Sequence, residues 1–234
     1  MTQLLFSAPP VTTLPILDET AQFPVYRVFC IGRNYAAHAA EMGASVDKSK
    51  QDPFYFLKSA HHVIGHQQTI PFPPETNNFH HEVELVVALD KPLFQATEKQ
   101  VLEAIYGYAV GFDLTRRDLQ AKDKEKSWPW DDAKDFENAA VIGVISPKEK
   151  VKQSMDKAQI TLSINGQIRQ SGSTANMIWS VAELLAYISR FYHLQAGDLI
   201  MTGTPEGVGA IQAGDTLLGE IEGLSPLALT IAAV

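Results

Sequence analysis

His80-His81-Glu82-Val83-Glu84-Leu85-Val86-Val87, together with Tyr108-Ala109-Val110-Gly111-Phe112-Asp113 further along the chain, decides how the sequence is read. In an extended strand, residues two apart share a face. Glu82 and Glu84 therefore project together, while Val83, Leu85 and Val87 take the other side. Val86 and Ala88 continue the acidic face, so two carboxylates enter an otherwise apolar sheet. Unpartnered like charges there are costly, and at least one is pushed to take up a proton. A divalent cation removes that cost, and Asp113, at the end of its own apolar run, offers a third oxygen ligand. An all-oxygen set favours Mg²⁺ or Mn²⁺ over zinc. Acid-any-acid spacing also fits a solvated strand face, and spacing by itself leaves both readings open.

Working outward, the apolar strand Val28-Phe29-Cys30 leads into Ile31-Gly32-Arg33-Asn34-Tyr35 and an Ala-rich segment that predicts a short helix. His38 and Glu41 are i and i+3 neighbours on it. The carboxylate can orient the imidazole as a general base, or the pair is an incidental surface contact. His80 and His81 point to opposite strand faces with no cysteine pair nearby, which favours packing or hydrogen bonding behind the carboxylates over zinc ligation. His61, His62 and His66 read as polar loop residues, and His193 as a cation at a helix C-terminus. The lone Cys30 lies in an apolar strand and reads as a buried structural thiol. No Gly-any-Ser-any-Gly elbow supplies a serine nucleophile. The loop Gly203-Thr204-Pro205-Glu206-Gly207-Val208-Gly209 lacks the Gly-Lys-Ser/Thr ending of a phosphate-binding loop; it is either a plain turn or a turn that aims amide N–H groups at an anion.

Composition bounds the class. With 234 residues, 45% hydrophobic and 20% charged, the chain can bury a substantial core and is short for two domains. A net charge of −8 and the lack of a Lys/Arg block argue against nucleic-acid or anionic-membrane partners. Lys122, Lys124 and Lys126, alternating with Asp123 and Glu125, read as a solvated stretch. No apolar run approaches the roughly 20 residues needed to cross a bilayer, and the amino terminus lacks a basic region followed by an apolar one, so a cytoplasmic location is expected. Asn165-Gly166 between alternating residues predicts a hairpin. Capping boxes at Thr97/Gln100 and Ser180/Glu183 open two helices, the second covering Leu184 to Tyr192 and ending near Gly197. Strands otherwise dominate without strand–helix alternation, which predicts a mixed, mainly β fold.

Phe56-Leu57-Lys58-Ser59, Trp130-Asp131-Asp132-Ala133-Lys134-Asp135-Phe136 and Met201-Thr202-Gly203-Thr204-Pro205-Glu206-Gly207 complete an ordered set with Gly32-Arg33-Asn34-Tyr35, the Glu82/Glu84 strand and the Asp113 segment. From about residue 27 onward the set resembles the fumarylacetoacetate hydrolase family, most of all its small acylpyruvate hydrolase branch. The resemblance implies a β-sandwich roll of mixed sheets with few peripheral helices, assembled as a homodimer. It implies a catalytic domain over 27–234, preceded by a lead-in or peripheral hairpin over 1–26. It makes Glu82, Glu84 and Asp113 the Mg²⁺ or Mn²⁺ ligands, His38 and Glu41 a water-activating dyad on a mobile lid, and Lys134 a charge stabiliser. Arg33, Lys58, Arg117, Gln120 and Thr204 become candidates for substrate contact. One departure stands out: Asp131, Asp132 and Asp135 surround Lys134 in sequence, and if they lie close they hold it as a cation. The implied reaction cleaves a carbon–carbon bond of an acylpyruvate, such as fumarylpyruvate or acetylpyruvate, to a carboxylic acid and pyruvate, so the partner is a small 2-oxo acid. Alternatives with the same site are oxaloacetate decarboxylation or tautomerisation, isomerisation of a dienedioate, and a catalytically silent dicarboxylate-binding protein.

Overall fold

The computed structural model describes residues 4–233. In chain order the elements that position the site are β1 (Arg27–Gly32), α1 (Ala36–Glu41), β2 (Phe54–Lys58), β3 (Val83–Leu89), α2 (Glu98–Ala104), β4 (Ile105–Asp113), α3 (Arg117–Lys126), α4 (Asp131–Lys134), β5 (Ala140–Ile142), β6 (Gln159–Ile164), β7 (Gln167–Ser173), α5 (Val181–Ile188), β8 (Asp198–Met201), β9 (Thr216–Ile221) and β10 (Leu227–Ile231). The larger sheet runs β2-β1-β8-β3-β4-β5 and ends on Val63–Ile64, and the smaller runs β7-β6-β9-β10 and ends on Gln68–Ile70. Parallel pairs (β8 with β1, β5 with Val63–Ile64, β10 with Gln68–Ile70) are set among antiparallel ones, so both sheets are mixed. The mainly β class with few peripheral helices is the one expected from the sequence.

β3 lies inside the larger sheet, and every one of its residues is buried. Val83, Leu85, Val87 and Leu89 join Ile160, Leu162, Leu217 and Leu229 in the core between the sheets. Val86 and Ala88, on the other face, pack with Val28, Cys30, Leu199 and Met201. Burial on both faces explains why β3 is a near-continuous apolar run, whereas β6, β9 and β10, which cover one face only, alternate buried and partly exposed residues. The sheets approach closely at Gly219: a Cβ there would lie 2.5 Å from Cε1 of the fully buried Phe112, the neighbour of Asp113.

The Asn165-Gly166 turn joins β6 to β7 with both residues at positive φ, 52° and 79°, as a tight hairpin turn of this kind requires. Both capping boxes form, and α2 packs against α5. The second helix stops at Ile188, short of both Tyr192 and the expected end near Gly197. Ser189 Oγ donates back to the Ala186 carbonyl and accepts from Ala96 N–H, and the chain then turns towards the Leu93–Leu194 bridge. His193 therefore lies beyond the helix, its ring stacked on Phe94 at 3.8 Å, which corrects the helix-end reading. Residues 1–3 of the expected lead-in lie outside the described part; within the remainder, Thr13–Pro15 pairs antiparallel with Gln22–Pro24. No helix among the described residues is long and apolar enough to cross a membrane.

Gly219→Ala should destabilise the fold by about 1–3 kcal/mol, because a methyl group would be forced against the fully buried Phe112 ring. Thermal denaturation measures this, and an unchanged midpoint would show that the sheets are not locked at that contact.

Candidate metal centre and active site

Strand pairing assembles the acidic centre. Asp113 N–H donates to the Glu82 carbonyl at 2.9 Å, and Glu84 faces Gly111 across the β3–β4 pair, so all three acids emerge on one side of the sheet. One carboxylate oxygen from each of Glu82, Glu84 and Asp113 lies within 4.8 Å of the others, and all three residues are buried. Three cations surround them. Lys134 Nζ bridges Glu82 Oε2 at 2.8 Å and Asp113 Oδ2 at 2.7 Å. Arg117 donates to Glu82 Oε1, and Lys58 Nζ stands 2.9 Å from Asp113 Oδ1. Among the described residues no cation pairs with Glu84. Burial, reinforced by the charges of Asp113 and Glu82, pushes its carboxyl well above the usual carboxylate range, although Gly203 N–H donates to it at 2.7 Å. Glu82 is held well below that range: burial opposes the ionised form, but Lys134 and Arg117 prevail.

Lys134 stays a cation for a different reason from the one its sequence neighbours suggest. Burial alone would lower it, and the charges of Asp113 and Glu82 raise it. Asp131 and Asp132 are exposed on the short helix α4. Asp135 turns away to accept Ser59 N–H, Ser59 Oγ–H and a contact with His62 Nδ1 at 2.6 Å.

The other expected residues divide between the cavity and its supports. Arg33, His38, Arg117, Gln120, Lys134 and Thr204 line one small cavity of about 30 Å³ over the three acids. Lys58 does not line it. Its ammonium lies behind Asp113 and donates to the carbonyls of Leu114 and Lys134, a place that suits support of the acid rather than contact with a ligand. Thr204 reaches the cavity wall, but its hydroxyl is already used: Oγ1 donates to the Val83 carbonyl and accepts from Gln170. His38 is buried on α1 with Nδ1 3.4 Å from Glu41 Oε2. Burial holds its pKa below the ordinary histidine value, against the raising effect of Glu82 and Glu41. Cys30 is buried, and burial raises its thiol, as the structural reading requires.

Two of the amides in the glycine-rich loop serve the site's own carboxylates. Gly203 N–H goes to Glu84, and Gly207 N–H donates to Glu41 at 3.2 Å, tying the loop to α1. Gly203 sits at φ +96°, and a Cβ there would lie 2.8 Å from Asn34 Cβ, so the loop closes on β1 only with glycine. Gln170, missed in the sequence, is the hub beneath. Fully buried on β7, it accepts from Val83 N–H, meets His81 Nδ1 at 2.9 Å, and donates to Thr204 and to the Pro205 carbonyl. Its only sequence signal was an amide on the hairpin's inward face. His80 meets Asn78 Oδ1 at 2.8 Å and Arg117 Nε at 3.4 Å, so both histidines brace the acidic strand.

The residues fit a hard divalent cation. Asp113 Oδ1 is buried without a hydrogen bond, since Lys58 approaches it outside hydrogen-bonding geometry, and Glu84 lacks a countercharge. The donor set is all oxygen, which suits Mg²⁺ or Mn²⁺.

Comparison with known proteins agrees with this geometry. Residues 27–232 match the family described as fumarylacetoacetate (FAA) hydrolase C-terminal. A fumarylpyruvate hydrolase from Ralstonia is 47% identical over 190 residues, covering 81% of this chain and 98% of the relative. An oxaloacetate tautomerase from Escherichia coli is 41% identical over 203 residues, covering 87% and 91%. The crystal structure of a fumarylpyruvate hydrolase from Pseudomonas aeruginosa in complex with Mn²⁺ and pyruvate superposes with a TM-score of 0.93 at 42% identity, covering 99% of this chain and all of the other.

Because a metal must displace the proton that Glu84 holds, Mn²⁺ binding should release a proton and tighten as pH rises. Glu84→Gln should bind Mn²⁺ at least about tenfold more weakly and without that release. Calorimetric titration in buffers of different ionisation enthalpy checks both, and unchanged affinity in the variant would remove Glu84 from the ligand set.

Proposed function

The chain belongs to the fumarylacetoacetate hydrolase family, and we propose that it is a divalent-metal-dependent hydrolase that cleaves the carbon–carbon bond of an acylpyruvate to a carboxylic acid and pyruvate. The observation that carries this reading is the three-carboxylate centre sharing one cavity with a buried imidazole held near a carboxylate. Mn²⁺ and pyruvate in the Pseudomonas aeruginosa enzyme, a close structural relative, support it.

Glu82, Glu84 and Asp113 would hold the cation, which when bound supplies Lewis-acid polarisation of the substrate's 2-keto group. Three buried acids already face three buried cations, so a dication leaves the site positive and suited to an anionic 2-oxo acid. With Nδ1–H directed to Glu41, His38 keeps Nε2 free to accept a proton from water. Burial keeps that imidazole neutral at neutral pH, the form a general base needs. The activated water attacks the distal acyl carbonyl. As the carbon–carbon bond breaks, the electron pair passes to the pyruvate fragment as its enolate, which takes up the proton that His38 accepted from water to give pyruvate, and the carboxylic acid is released. Lys134, a cation fixed in a desolvated setting, stabilises the anionic charge. Arg117 and Gln120 on α3, with Arg33 after β1, stand at the cavity wall as the substrate contacts of this reading.

A second reading, tautomerisation or decarboxylation of oxaloacetate, draws support from the Escherichia coli relative and from the same acidic centre. It differs in needing no attack by water. A silent binding protein would have no use for a buried imidazole held neutral near a carboxylate.

The assembly of this reading is a homodimer. A concavity of about 710 Å³ adjoins the catalytic cavity, sharing Phe56, Trp130 and Lys134 with it, and its outer part carries Tyr26, Phe54, Leu57 and Trp128, large apolar side chains left exposed. Such a patch marks an interaction surface.

His38→Ala should slow acylpyruvate cleavage by at least tenfold, within the about 10²- to 10⁴-fold that a positioned base contributes, while sparing much of any oxaloacetate decarboxylation. Because burial lowers the His38 pKa, the acid limb of the wild-type kcat/KM profile should fall below the ordinary histidine value and be lost in the variant. Equal loss of both activities, with metal content intact, would deny His38 the role of base. For the assembly, light scattering at micromolar concentration should give twice the chain mass of 25.7 kDa, and a monomer would refute the dimer.

A further inference from the structure

The alternating charges of 122–126 suggested a solvated stretch, but Lys124 departs from it. Arg117, Gln120 and Lys124 occur at i, i+3 and i+7 of α3 and therefore lie along one helical face. All three line the cavity over the acids. Arg117 anchors the inner end of this row on Glu82, and Lys124 stands about 10 Å further along the helix axis at 1.5 Å per residue. Its ammonium lies 5.2 Å from the centroid of the Trp130 ring, half-buried, and makes no hydrogen bond or ion pair among the described residues. Arg33 reaches the same cavity, likewise without an ionic partner among the described residues, on a backbone held at φ +60°, a conformation that non-glycine residues rarely adopt. The same cavity is also lined by the apolar side chains of Ile31, Met42, Phe56 and Trp130.

A cavity with an acidic, metal-fitting floor, apolar sides and two unpaired cations is complementary to a particular kind of molecule. We propose that Lys124, assisted by Arg33, binds a second carboxylate at the far end of the acyl chain, so that the preferred substrates are acylpyruvates whose acyl group is itself a dicarboxylic acid residue. The inference rests on the acylpyruvate reading above and specifies its substrate class. The aromatic face of Trp130 and the apolar wall accept a flat, unsaturated carbon chain, and the two cations take its terminal charge. Burial, with the charges of Arg117 and Arg33, pulls the Lys124 ammonium down to about 8, the state of a cation that lacks its anion.

The test compares fumarylpyruvate, which carries the second carboxylate, with acetylpyruvate, which does not. Lys124→Met should lower kcat/KM for fumarylpyruvate at least about tenfold more than for acetylpyruvate, mainly through KM, as expected for loss of a charge-assisted hydrogen bond. Lys124→Arg should keep most of the preference. An equal loss on both substrates, or a preference untouched in Lys124→Met, would overturn the assignment. A binding measurement separates this from the reaction itself: calorimetry on the Mn²⁺-loaded protein with fumarate and with crotonate, which has a methyl group in place of one carboxylate. Tighter binding of fumarate, abolished in Lys124→Met, supports the site, and equal binding of both acids by the wild type refutes it. If the wild-type protein cleaves neither acylpyruvate, the proposed reaction fails, while the calorimetry still judges the carboxylate site.

Discussion

Three carboxylates buried against three cations form the interaction on which the rest of the structure depends. Glu82, Glu84 and Asp113 are removed from water by a sheet that is packed on both faces, and charges so placed must be paired, protonated or bound to a metal. Among the described residues, Lys134, Lys58 and Arg117 pair with Glu82 and Asp113 but leave Glu84 with only a backbone amide. That asymmetry turns a buried ionic cluster into a receptor for a divalent cation. It also requires that β3 and β4 stay in register, since a one-residue slip would carry Glu82 and Glu84 to the opposite face, into the core between the sheets.

The surrounding structure holds that arrangement from several directions. Gln170 reaches from the second sheet to the edge of the acidic strand and to the loop after β8, so the two sheets share one hydrogen-bonded hub. The glycine-rich loop links the metal-fitting carboxylate Glu84 to Glu41, the partner of the candidate base. The Glu41–Gly207 contact, at 3.2 Å, thereby ties α1 to the loop.

Polarity is distributed along α3 in a way that serves both ends of the cavity. At its first turn Arg117 neutralises an acid of the centre, and about two turns later Lys124 rests on Trp130 with no acidic partner among the described residues. The same helix therefore contributes to charge balance at the reacting end and to the cationic wall at the far end. Phe56 and Trp130 close the cavity against the large outer concavity, which they also line.

Periodicity and local chemistry made much of this legible in the sequence. The shared face of Glu82 and Glu84, the His38–Glu41 pair, the Asn165-Gly166 turn, both capping boxes and the mainly β class follow from interactions spanning a few residues, and the ordered motifs pointed to the family. Only the folded chain decided which long-range partner each charged group found. Lys134 answers to Glu82 and Asp113 rather than to its three neighbouring aspartates, Lys58 supports an acid from behind, Thr204 has already used its hydroxyl, and Gln170 emerges as a hub. Lys124 leaves its alternating stretch to line the cavity. The physical reason is range: backbone propensity and strand alternation act between near neighbours. The state of a buried charge depends on desolvation and on whichever opposite charges the tertiary fold brings within hydrogen-bonding distance.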